Sequence, residues 1–186
     1  MAGHAGPKKV INKAVLYVNA RKSYDNQEKK LIGLLNKNNV INTRAKVVDD
    51  KLVLSKEDPT TTTQLIVPNT LENFTEGSFE ISFKSIDSFK NLTTIYNLQK
   101  ELTDLTATPE QIKLIVTWKT VSTTTVKVYL NGNLIQQQTV TDLNFSNLLK
   151  LVKIRTIRKE LLVDFFTVYD RELTATEVKQ NYYSGI

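Results

Sequence analysis

Leu161-Leu-Val-Asp-Phe-Phe-Thr-Val-Tyr-Asp-Arg-Glu-Leu-Thr-Ala-Thr-Glu-Val-Lys-Gln-Asn-Tyr-Tyr183 reads as an apolar strand that turns a corner into one short helix. The corner has a mechanism. Thr174 is placed to accept a hydrogen bond from the amide of Glu177, and the Glu177 carboxylate can reach back to the amide of Thr174, a capping box. Leu173, just before the cap, and Val178, four residues after it, are spaced for the apolar contact that fixes the entry angle of a helix. Period-two alternation along the strand predicts that Asp164 shares a side with Phe166 and Val168. It is expected there as a structural carboxylate near the sheet edge, accepting backbone or hydroxyl hydrogen bonds.

Short strands separated by turns continue upstream. Lys46 to Leu54 predicts a hairpin with Asp49-Asp50 in its turn, and Val126 to Ile135 a second with Asn131-Gly132, a pair that tolerates positive φ at both central positions. Gln64 to Val67 reads as a strand behind the polar loop Pro59 to Thr63. Thr123 to Thr125 leads into another strand, and Pro109 to Gln111 is a loop ahead of a buried one. Asn26 to Leu35 carries apolar spacing for one short helical turn. Many short strands with turns between them are what a β-sandwich requires.

The C-terminal stretch resembles the ending of the laminin-G-like, concanavalin A-like jelly-roll domains. Asp164, Phe166, Val168, Tyr169, Asp170, Arg171, Leu173, Thr174, Glu177, Val178, Asn181 and Tyr182 stand at the positions of that motif. Ala14 to Ala20 with Ser23-Tyr24 resembles the family's first strand, and Gly77 to Phe83, Leu114 to Trp118 and Val126 to Gly132 resemble later ones in the expected order. The resemblance implies an all-β fold, an antiparallel β-sandwich of the concanavalin A-like jelly-roll type over residues 12–186. One short C-terminal helix and an N-terminal extended arm, residues 1–11, complete the expected layout. It implies little about activity, because one fold hosts many functions.

Composition narrows the chemistry. The 186 residues suit one domain with its own core. There is no cysteine, which removes thiol nucleophiles, thiolate metal sites and disulfides. The single histidine, His4, lies in the arm, so no histidine-based triad can form within the sandwich. Glucanases on this fold set carboxylates at alternate strand positions. Here the residue two after Glu80 is Ser82, so Glu80 is expected as an ordinary solvent-facing strand residue. Asp49-Asp50 could be read as a calcium-ligand pair but is expected to be only a turn, and Trp118 and Tyr129 to be core rather than sugar-stacking rings. Asn73, Asn91 and Asn144 match glycosylation acceptors by pattern alone.

The formal charge of +6 is spread among acidic residues, which argues for a solvated surface rather than a nucleic-acid interface. Lys153 and Arg155 fall on one face of a strand in the densest basic run. With Lys8 and Lys9 of the arm, they are the candidate partner-binding residues. The opening residues have little to bury, so removing residues 2–9 is expected to leave the domain folded with a nearly unchanged melting temperature while incorporation into an assembly falls. No apolar run reaches membrane-spanning length, and the start lacks the apolar core of a signal peptide, so assembly in a host cytoplasm is expected. The leading expectation is a non-enzymatic virion component without a cofactor, a bacteriophage capsid-decoration or tail-associated protein acting in a multi-copy assembly. The alternative is a carbohydrate-binding, lectin-like adhesion module; the enzymatic rival is a divergent glycoside hydrolase.

Overall fold

The computed structural model describes residues 7–25, 30–32, 34–35, 40–41, 46–54, 75–85, 111–140 and 161–184. Apolar alternation becomes β1 (Ala14–Asn19), β2 (Tyr24–Asp25), β3 (Lys30–Ile32), β4 (Val40–Ile41), β5 (Lys46–Val48), β6 (Lys51–Leu54), β7 (Glu76–Ser85), β8 (Ile112–Thr120), β9 (Thr124–Leu130), β10 (Asn133–Val140) and β11 (Leu161–Tyr169). The one-turn helix α1 (Ala20–Ser23) follows β1, and the helix α2 (Ala175–Tyr183) follows β11. The larger sheet runs β10-β9-β8-β7-β11-β6-β5, with β1 beside the second half of β11, and the smaller runs β2-β3-β4. All its pairings are antiparallel, and the chain is an all-β antiparallel β-sandwich with one C-terminal helix beyond α1.

Both predicted hairpins form, for the reason the turn residues suggest. Asp49 and Asp50 have φ of 48° and 61°, and Asn131 and Gly132 have 48° and 79°. Two successive positive φ values match the right-handed twist of the flanking strands, and Asp, Asn and Gly tolerate them best. Period two sorts β7 into faces. Phe79, Ile81 and Phe83 share one with Leu114 and Val116 of β8 and Phe166 and Val168 of β11, all nearly inaccessible to solvent. Trp118, also fully buried, lies opposite Gly77, where a Cβ would come within 2.7 Å of Trp118 Cε2. Trp118 and Tyr129 are therefore core residues, as expected.

The other face of β7 carries Ser78, Glu80 and Ser82, beside Lys113, Ile115 and Thr117 of β8 and Phe165, Thr167 and Tyr169 of β11. Polar residues predict a solvated face, yet Ser78, Glu80, Ser82, Thr117 and Thr167 are each 0 % exposed. The cover is α2 and the residues before β1. Val10 and Ala14 pack against a cluster of Ile115, Tyr129, Tyr169, Leu173 and Val178.

The structure changes three local readings. Lys30–Ile32 is a strand held between β2 and β4, so sheet pairing overrides the helical spacing read over Asn26 to Leu35. The first strand stops at Asn19, whose side chain accepts from the Lys22 amide at 3.2 Å and starts α1. The register of β11 slips between Val163 and Phe165, a bulge that turns Asp164 away from the face of Phe166. Asp164 meets Ser82, Gln111 and Lys51 instead, on the opposite side from that predicted, and accepts a hydroxyl hydrogen bond from Ser82. The readings over Pro59 to Val67, the three glycosylation patterns and His4 lie outside the described residues.

Candidate functional site

The C-terminal corner forms as its sequence dictates. Glu177 N donates to Thr174 Oγ1 at 3.3 Å, and Thr174 N donates to Glu177 Oε2 at 2.9 Å. Leu173 and Val178 lie in one buried cluster. Arg171 adds a bidentate pair to Glu177, at 2.7 and 2.8 Å. That pairing, helped by the Thr174 bonds, holds the Glu177 carboxyl down at about 2. Ser78 Oγ donates to Arg171 O and accepts from Leu173 N, tying the corner to the sheet.

Beneath this corner sits a buried carboxylate. Glu80 Oε2 accepts from Lys9 Nζ and from Asn181 Nδ2 at 3.0 Å, and Tyr169 Oη lies 3.1 Å away. The expectation of a solvent-facing Glu80 is thus wrong: its side chain is 0 % exposed, because α2 and the N-terminal strap roof a face that alternation assigns to water. Lys9 Nζ also lies 4.1 Å from the ring centroid of Phe165 and 5.8 Å from that of Tyr17. An ammonium between an aromatic face and a carboxylate gains cation–π attraction as well as charge pairing. Burial pushes the Lys9 pKa down, with Glu80 pulling it back, and pushes the Tyr169 hydroxyl up. Lys113, also lowered by burial, donates from Nζ to the carbonyls of Asn181 and Tyr182 at 3.0 and 2.8 Å, at the end of α2.

The strap is read along its backbone as well. Gln180 Nε2 donates to Lys8 O at 2.8 Å, Val10 N donates to Asn181 Oδ1 at 2.7 Å, and Tyr169 Oη lies 2.9 Å from Val10 O. Arg171 Nε donates to Asn12 O at 3.2 Å. Residues 8–12 are therefore part of the folded body, contrary to the picture of a free arm over residues 1–11. Of the candidate partner-binding residues, Lys8 is exposed, Lys9 is spent on Glu80, and Lys153 and Arg155 lie outside the described residues. Phe166, Tyr169, Leu173 and Val178 are buried, and Asp164, Thr174 and Glu177 make the polar contacts given above. Tyr182 is half-buried against Gly132, its ring 5.0 Å from that of Tyr183. Sequence reasoning missed Lys9, Glu80, Lys113 and Asn181 as one unit. The available signal was Ser-Glu-Ser on one strand face opposite a motif Asn, which matters only once a roof over that face is known.

Among the described residues, no group of three acidic or imidazole side chains could hold a metal ion, and no helix is long and apolar enough to cross a membrane. Asp49-Asp50 forms its turn, with Asp50 Oδ2 3.5 Å from Arg21 Nε.

No family model and no curated protein matches the chain by sequence. Solved structures do match by shape. The binding domain of botulinum neurotoxin serotype G superposes over 91 % of this chain and 50 % of its own, at a TM-score of 0.57 and 13 % identity. The serotype DC binding domain in complex with rat synaptotagmin II gives 0.59 at 12 % identity. The serotype D ligand binding domain in complex with N-acetylneuraminic acid gives 0.58 at 11 %; each of these two matches covers 95 % of this chain and 52 % of the other. The chain spans about half the length of these domains, and what it shares with that half is the fold.

Proposed function

We propose that the chain is a recognition module whose partner is a glycan, the reading held above as the alternative to a virion component. The observation that carries it is the fit of nearly the whole chain onto half of receptor-binding domains, one of them solved with a sialic acid. Local chemistry is compatible. Tyr183 is 55 % exposed at the end of α2, the one large aromatic presented to solvent among residues of described exposure. Its ring lies 5.0 Å from that of Tyr182, which packs against Gly132, and an amphipathic ring there can cover a sugar face. No observation in the structure favours the virion placement over this one.

A glycan array that includes sialylated oligosaccharides, probed with the intact chain and with Tyr183→Ala, tests the proposal. A saturable hit that Tyr183→Ala reduces at least tenfold, with the far-UV spectrum unchanged, supports it. A silent array sinks the glycan reading, and a hit indifferent to Tyr183 moves the site elsewhere.

A further inference from the structure

The Glu80 site is built to read a peptide. Four backbone groups of the strap are bound by side chains from β11, the corner and α2, and one side chain, that of Lys9, is read by a carboxylate and two rings. Apart from Tyr17, on the strand that follows, these recognising groups stand roughly 70 to 170 residues from the strap in sequence. Such a site binds the segment by the same contacts whether it arrives from its own chain or another; only the effective concentration differs.

The junction between strap and β1 supplies a reason for it to leave. Ala14 N donates to Ile11 O at 3.0 Å in a tight turn, and Lys13 within it holds a φ of 62°. A left-handed conformation is unfavourable for lysine, and extending the turn would relieve it. Ile11, at this turn, is 57 % exposed, and Asn12 and Lys13 are exposed too, with the Lys13 carbonyl accepting from Asp170 N at 3.1 Å.

We propose that residues 7–12 are an exchangeable arm, and that the lysine-reading site of Glu80, Phe165, Tyr17, Tyr169 and Asn181 takes the same segment from a second copy of this chain. Two copies then close reciprocally, each giving its strap to the other, the low-cost route to a dimer that a strained hinge invites.

The natural absence of cysteine makes the test clean. Lys8→Cys and Gln180→Cys place thiols at positions where the Lys8 carbonyl and the Gln180 amide are already bonded. The two singly substituted full-length chains are mixed, incubated over a range of concentrations and mildly oxidised. The expected product is a Lys8→Cys/Gln180→Cys heterodimer that rises with concentration and exceeds both homodimers. Adding Lys9→Gln to the arm donor should abolish it. Lys13→Gly, which accepts the same φ without strain and leaves the fold intact, should lower its yield roughly tenfold. The doubly substituted chain needs no destabilising change and gives the converse readout. If it runs only as a disulfide-closed monomer while mixtures give no heterodimer above the homodimer background, the proposal is overturned. It is equally overturned by a heterodimer that ignores both Lys9→Gln and Lys13→Gly.

Discussion

Lys9→Met isolates the ion pair that the N-terminal strap brings to the sheet. Methionine keeps the stem that crosses the Phe165 ring and deletes the charge. What remains is a carboxylate with no solvent access, one oxygen of which keeps the Asn181 amide and the nearby Tyr169 hydroxyl, while Oε1 has no hydrogen-bond partner among the described residues. A surface pair would lose about 0–1 kcal/mol. Here Glu80 is 0 % exposed and Lys9 only 14 %, so the cost of leaving one charge buried and unpaired applies, about 3–5 kcal/mol. The lower end, about 3 kcal/mol, is expected because Lys113 remains near enough to act on Glu80 through charge. In a chain of this length that is a drop in Tm of roughly 6–12 °C. Urea titration at pH 7 measures it, and Lys9→Met/Glu80→Gln should recover more than half of the loss, because the double variant removes both charges. A Lys9→Met chain within about 0.5 kcal/mol of the parent would refute the reasoning and restore the free-arm picture, in which losing residues 2–9 costs nothing.

Phe166→Ala should cost about 3–5 kcal/mol, since the ring is 1 % exposed in the main core; a neutral result in the same titration would reverse the faces of β11. Gly77→Ala should cost roughly 1–3 kcal/mol and shift the emission of the single tryptophan, because the new methyl meets the Trp118 indole; unchanged emission and stability would place that ring elsewhere. Glu177 titrates at about 2 in the fold against 4.5 unfolded, so its contribution is complete above 4.5 and disappears as pH falls toward 2. Glu177→Gln should therefore lower stability by about 1 kcal/mol at pH 7 and flatten the acid limb between those values, and parallel pH titrations showing identical limbs would argue against the capping role.

What could be read from the chain and what could not divide along a physical line. Capping at Thr174 and Glu177 and the turns at Asp49-Asp50 and Asn131-Gly132 depend on residues within four positions of one another, so their chemistry is visible in the sequence. Glu80 depends on Lys9, 71 residues away, and Asn181, 101 residues away, neither of which announces a contact. Alternation failed at Asp164 for a related reason: a one-residue bulge inverts parity, and nothing in Leu-Val-Asp-Phe marks it. The helical spacing over Asn26 to Leu35 failed because short apolar runs fit either period and the partner strands decide.

The motif that suggested the fold also explains why the missed site exists. Its Arg171 serves two masters: the guanidinium holds Glu177 through both terminal nitrogens, while Nε donates to Asn12 O in the strap. Its Tyr169 and Asn181 each stand within hydrogen-bond distance of both the Glu80 carboxylate and one backbone group of Val10, the single Tyr169 hydroxyl proton being shared between its two acceptors. Corner, helix and strap therefore share their fixing groups. Releasing the strap would leave Arg171 with Glu177 and the Glu172 carbonyl, and would leave Asn181 Oδ1 without the Val10 amide it accepts. The helix would keep its cap through Thr174, whose bonds with Glu177 do not involve the strap. The N-terminal segment can thus come and go as a unit while the corner that defines the fold stays closed.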